Sequence, residues 1–196
     1  MSAKGIAFTP APKQGRGYFL LPYNIHNYSA ACKPCNSALK GDRFPIAGTY
    51  ELNGEDPSVL KREKPFLICP VSDWDDDPES MIHFHGVSPQ AIQKSGHKHA
   101  RAIVTIAFFG LDDVNRKNLI RERASIIVAL FPYLEKLADG AIGQARLVAQ
   151  GIVSGFTSDR SAHANCARSF RRLFQSDRAE ATAVFERTYK LFQSMS

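Results

Sequence analysis

The chain has 196 residues, 44% of them hydrophobic and 22% charged, with a formal net charge of +6 and a pI near 9.2. That is enough apolar material for a buried core, in one domain or one and a half. No apolar run approaches the roughly 20 residues of a membrane span, and the N-terminus carries Lys4, Pro and Gly rather than an apolar signal core, which argues against membrane insertion and secretion. Four cysteines, two of them at knuckle spacing, suit a reducing compartment better than a disulfide scaffold, so a cytoplasmic protein without a membrane partner is expected. The basic balance permits a polyanionic partner.

Residues 1–17 are rich in Pro, Gly, Lys and small side chains without an apolar period, and read as a flexible leader. Tyr18-Phe-Leu-Leu is a short apolar run ended by Pro22, a strand or a buried loop. From Asn27 to Lys40 the chain passes from a turn into a short helix, with Ala38 and Leu39 as its apolar side and Gly41 placed to stop it. Cys32-Lys-Pro-Cys35 can wrap a metal-bound sulfur, with Pro34 stiffening the turn and Lys33 favouring thiolate. Tetrahedral zinc takes four ligands, so this pair is half of a site. Asn36 suits two tasks, capping the helix or ligating a metal.

Residues 49–64 read as an exposed connection with turns at Asn53-Gly54 and Asp56-Pro57. Phe66-Leu-Ile-Cys69 is a buried strand-like run closed by Pro70. Asp73, Asp75, Asp76, Asp77 and Glu79 form an acidic cluster, either a solvated loop or a holder of a hard cation. Residues 81–85 alternate, so His83 and His85 share one strand face and Ile82 and Phe84 the other. His97 and His99 repeat that spacing, and the two pairs are either metal ligands or exposed edge and loop histidines. Ile103-Val-Thr-Ile106 has strand propensity. Asp112 or Asp113 can cap a helix with an apolar stripe of Leu119, Ile126, Ile127, Leu130, Leu134 and Leu137, kinked at Pro132. Arg116, Lys117, Arg121 and Arg123 crowd its first turns, either to track phosphates or as a solvated face paired with Glu122. A weaker helix runs over 140–154 and breaks at 156–159. One amphipathic helix then carries Phe170, Leu173, Phe174, Val184, Phe185, Leu191 and Phe192, with Arg168, Arg171, Arg172, Arg178 and Arg187 around it. His163 and Cys166, three apart, are a ligand pair or a surface and a core residue.

Asn27-x4-Cys32-x-x-Cys35-Asn36-x3-Lys40 resembles the second half of the HNH endonuclease motif, in the zinc-supported branch of that family. The likeness runs from Tyr18 to Leu130. It includes Tyr18 to Tyr23, Gly41-Asp-Arg43-Phe-Pro45, the stretch from Glu63 to Pro70, Asp75-Asp-Asp-Pro78, Thr105 to Leu111, and an Arg-rich helix from about Asn115. The resemblance implies an α+β fold: a remnant ββα-metal finger with short strands, followed by a mostly α-helical C-terminal half. The chain would divide into the leader 1–17, an HNH-like region 18–99 and a helical region 100–196 packed on it, with 100–111 helical.

The resemblance also implies DNA phosphodiester hydrolysis with Mg²⁺ or a similar divalent cation beside a structural zinc. Asn36 would help hold the divalent metal, Asn27 would brace the catalytic loop, and Cys32 and Cys35 would hold the zinc. DNA would be met by Lys40, Arg43, Arg116, Lys117 and Arg121. The sequence departs from the family before Asn27. It shows there no first cysteine pair and no Asp-His base, and His26 beside Asn27 has the wrong spacing for one. A separate chain or an upstream segment is therefore expected to supply the missing half motif. The competing expectation is a non-catalytic nucleic-acid-binding or protein-interaction remnant of the same scaffold.

Overall fold

The computed structural model describes residues 2–3, 5–10, 17–25, 31–70 and 75–195. The fold is α+β, with short strands early and a mostly helical second half. Two compact units divide the chain: residues 1–82 with 90–112, and residues 83–89 with 113–196. Residue 100 thus lies inside the first unit, and the break in contacts follows Asp112.

In the first unit, β1 (Ser2–Ala3) pairs antiparallel with β2 (Ile6–Ala7). Part of the expected leader is therefore structured. Ile6 and Phe8 pack on a cluster of Phe66, Leu67 and Val104. The Thr9 amide donates to the Ile46 carbonyl (2.9 Å), and the Thr9 hydroxyl donates to the Gly48 carbonyl (2.8 Å). Apolar docking and these two bonds offset the ordering entropy that composition alone suggested would win.

The strand-like run at Phe66 is buried but, among the described residues, joins no regular sheet. Its neighbour is α1 (Gly96–Phe108), a helix despite the β-branched residues at 103–106. Arg101 and Thr105, one helical turn apart, face the run together. The Thr105 hydroxyl donates to the Phe66 carbonyl (3.3 Å) and accepts from the Ile68 amide (3.1 Å), while Arg101 Nη2 donates to the Leu67 carbonyl (3.0 Å). Side chains on one helix satisfy backbone groups that a neighbouring strand would otherwise take. Tertiary hydrogen bonding therefore outweighs the modest strand propensity of 103–106.

The expected exposed connection is also partly internal. A 3₁₀ turn spans Pro57–Glu63 and buries Leu60 and Glu63, the latter with 0% of its surface exposed. Tyr18 donates its hydroxyl to Glu63 Oε2 (2.7 Å), and the Glu51 amide donates to Glu63 Oε1. Burial first, then the bond and the charge of Glu63, push the Tyr18 pKa far up; burial and the same charge raise that of Tyr50. Gly48 lies directly against this turn, its amide donating to the Glu63 carbonyl (2.7 Å).

A hairpin of β3 (Ile82–His85) and β4 (Ser88–Ala91) follows. In the second unit, α2 (Lys117–Ala138) packs against α3 (Gly143–Thr157), α4 (Ala164–Ser176) and α5 (Arg178–Ser194). Ile126, Ile127, Leu130 and Leu134 form its buried stripe and meet Val153, Cys166, Phe170, Phe174 and Val184. Phe131 stacks on Phe185 at 4.0 Å and meets Phe174 edge-on at 5.9 Å. The single long C-terminal helix expected from the sequence is two helices. Asp177 is extended (φ −149°, ψ 91°) and its carboxylate accepts from the Glu180 amide at 2.9 Å, capping α5. Asp-x-x-Glu at 177–180 is a capping-box spacing, and it was the legible signal for this break. Among the described residues no helix is long and apolar enough to cross a membrane.

Candidate functional site

The candidate site is built on the helical turn Pro34–Lys40, which follows Cys32 and Lys33. Its entry has the Asn36 amide donating to the Cys32 carbonyl (3.0 Å). Its exit is wider, the Gly41 amide reaching the Asn36 carbonyl (2.7 Å), five residues back. Gly41 takes φ 53°, a left-handed value that favours glycine and ends the turn. Asn36 lies inside the turn, after Lys33 at the cap position, so the reading of Asn36 as an N-cap is corrected. None of the turn's residues is fully buried; Leu39 is half-buried and Ala38 exposed, so the expected apolar side is weak.

Cys32 is exposed, Cys35 half-buried and Asn36 exposed on this turn. Asn27 and His26 lie outside the described residues. Two sulfurs three positions apart are suitable zinc donors, but zinc takes four. Among the described residues no group of three or more His, Cys, Asp or Glu side chains is placed to hold a metal ion. The described donors therefore do not fit a closed zinc site, and neutral Asn36 is a poor sole ligand for Mg²⁺.

The basic residues differ in what they already do. Lys40 sits at the end of the turn, its ammonium 3.3 Å from the Gly41 carbonyl. Arg43 folds back on the same end, its Nη2 donating to the Leu39 carbonyl and Nε to the Lys40 carbonyl at 3.3 Å, with its guanidinium 4.8 Å above the Phe108 ring. A cation on a helix's last carbonyls is favourable, so Arg43 has a local structural task. In the second unit Arg116 precedes α2, and Lys117 and Arg121 are exposed on its first turns. Arg123, which the sequence grouped with them, is buried instead, stacked 4.8 Å over Phe84 and donating to the Val87 carbonyl (3.2 Å). The arginines of α4 and α5 are largely committed: Arg168 to Asp159 and the Thr157 carbonyl, Arg178 to Glu135 and Asp139, Arg187 to Glu180.

Among the described residues neither histidine pair belongs to a group of three or more His, Cys, Asp or Glu side chains placed to hold a metal ion. His83 and His85 lie on β3, and His85 Nε2 is 3.2 Å from Glu180. Burial, then the charges of Arg172 and His85, lower the His83 pKa. His97 and His99 are on α1, where residues two apart point to different sides. His97 lies against Phe66 (5.5 Å) and His99 Nδ1 is 2.6 Å from the Gln93 carbonyl. Burial, then Arg101 and Lys64, lower the His97 pKa against an opposing bond to Pro65. His163 bonds Glu122 (2.9 Å), whereas Cys166 is buried with its thiol 3.5 Å from the Gly86 carbonyl. Burial pushes the Cys166 thiol up to about 12, against a smaller downward pull from Arg123.

The acidic cluster is mostly structural. Asp73 lies outside the described residues. Asp75 forms a buried bidentate pair with Arg101, at 2.8 and 2.6 Å. Asp76 pairs with Lys98 (3.3 Å), and Asp77 accepts from the Glu79 amide (2.9 Å). The internal partners Arg101 and Glu63 were not legible as buried from their own segments, because long-range packing alone places them.

Compared with known proteins, the chain matches no family model, no curated protein and no solved structure.

Proposed function

We propose that the chain is the DNA-binding half of an HNH-type nuclease module in the cytoplasm. Lys40, Arg116, Lys117 and Arg121 make phosphate contacts, and Cys32, Cys35 and Asn36 contribute an incomplete metal-ligand set. The observation that carries this reading is the exposed turn 32–40, which presents two thiols, an amide and Lys40 on a short helical turn whose side chains do not fill a core. An exposed conformationally defined turn with that donor set is poorly explained by packing. Phosphodiester hydrolysis in such a module needs a base to activate water and a divalent metal to take up developing charge. The described residues supply neither a placed base nor a complete ligand set. Cleavage is therefore assigned to the module completed by a partner segment carrying the histidine base and the second cysteine pair, and binding to this chain.

The test is titration of a fluorescent DNA duplex at about 50 to 200 mM salt. Each phosphate contact contributes about −0.9 to the slope of log K against log salt, or roughly 3.5-fold weaker binding across that range. Lys40→Ala, Arg116→Ala, Lys117→Ala and Arg121→Ala should each flatten the slope by about 0.9. No binding at the lowest salt, or a slope unmoved by all four substitutions, overturns the reading.

A further inference from the structure

One polar face of α2 is absorbed by neither the core nor the half motif. Asn118, Arg121, Glu122 and Ser125 stand at i, i+3, i+4 and i+7 and so share a stripe of the helix. With Phe192 of α5 they line an open cleft of about 430 Å³ within the second unit. The cleft combines a flat apolar ring, a planar cation, an amide able to donate and accept, and a hydroxyl. The Ser125 hydroxyl donates to the Glu122 carbonyl (2.7 Å), which leaves its lone pairs for a ligand. Glu122 lines the same cleft, with its Oε2 2.9 Å from His163 Nε2.

We propose that this cleft takes one unpaired nucleotide, its base stacked on Phe192, its phosphate on Arg121 and its polar edge met by Asn118 and Ser125. The proposal rests on the nucleic-acid reading above and names its substrate class: single-stranded or locally opened DNA. The size is that of a small-molecule site, which at about 300–1,000 Å³ excludes a duplex and admits a single nucleotide. A ring lining a cleft beside a cation is the arrangement by which unpaired bases are held, because every base has a π-face and stacked duplex bases offer none.

A single-stranded oligonucleotide carrying a central 2-aminopurine, and its duplex, test this at fixed low salt. Binding should quench the fluorescent base in the single strand and leave the duplex signal unchanged. Phe192→Leu should remove the quenching and weaken single-strand binding by roughly 5- to 150-fold, the range for one base–aromatic stack, while Phe192→Tyr retains both. Arg121→Ala should weaken binding with quenching preserved in the bound complex, and it serves as the second variant if Phe192→Leu does not fold. Single-strand binding without quenching, or unchanged by Phe192→Leu, overturns the base site and leaves duplex binding standing. No binding of either form overturns both readings.

Discussion

Replacing Arg101 by Met puts the internal architecture of the first unit to a direct test. The guanidinium holds Asp75 through two bonds of 2.8 and 2.6 Å, and the two side chains are only 6% and 5% exposed. Asp75 also accepts from the amides of Cys69 (2.9 Å) and Asp76 (2.8 Å). Without Arg101 the carboxylate loses both guanidinium bonds, and the Leu67 carbonyl loses a donor. Removing one partner of a buried pair costs about 3–5 kcal/mol, a large share of the 5–15 kcal/mol typical of a domain. At an m-value of about 2 kcal/mol/M the urea midpoint should fall by roughly 1.5–2.5 M. Far-UV circular dichroism follows the transition.

The pH dependence has a definite sign. Burial raises the Asp75 pKa, but the bonds from Arg101 and the Cys69 amide, with the Arg101 charge, outweigh it and leave the folded value below the usual one. Its stabilisation is therefore present above the unfolded value near 3.9 and is lost as pH falls through the folded value. The gap between wild type and Arg101→Met should be widest near neutrality and close on acidification. A double variant, Asp75→Leu with Arg101→Leu, should recover much of the loss because no buried charge remains. A loss below about 1 kcal/mol at neutral pH, or a gap indifferent to pH, would refute the assignment of this pair as an internal anchor.

Gly48→Ala should destabilise the first unit by about 1–3 kcal/mol, since an added Cβ would stand 2.8 Å from the Glu63 carbonyl oxygen and 2.9 Å from its carbon; thermal melting checks this, and an unchanged midpoint would contradict the close approach. Cys166 should resist a thiol reagent in the folded protein while exposed Cys32 reacts. With its thiol pushed up to about 12, the stability it contributes is present below the unfolded value near 8.5 and lost as pH rises through the folded one; rapid native-state labelling of Cys166 at neutral pH is the contrary result. The purified chain should bind zinc weakly, or between two molecules through Cys32 and Cys35, and nick DNA slowly or not at all with Mg²⁺ or Mn²⁺. Equimolar zinc resistant to a chelator in a proven monomer, lost in Cys32→Ser, would show the ligand set to be complete. Asp177→Ala should cost about 1 kcal/mol by uncapping α5, read as a lower urea midpoint, and no change would deny the cap.

The features legible from residue order alone are local ones. The spacing of Ile126, Ile127, Leu130 and Leu134 specifies a helix with one apolar stripe, because a 3.6-residue period brings those side chains to one side whatever they meet. The alternation at 82–85 likewise gives a strand, and Gly41 an end to the turn before it, since both depend on backbone geometry within a few residues. The Asp-x-x-Glu cap at 177 was equally local and open to the same reading. Long-range packing set the remainder. That Phe66–Ile68 would lie against a helix rather than a strand depended on Arg101 and Thr105, more than thirty residues away. That Asp75 and Glu63 would be internal while Lys117 and Arg121 stay exposed depended on which partner reached each one. A charged side chain carries no mark of its burial in its own neighbourhood; its place follows from the distant group that compensates its lost hydration.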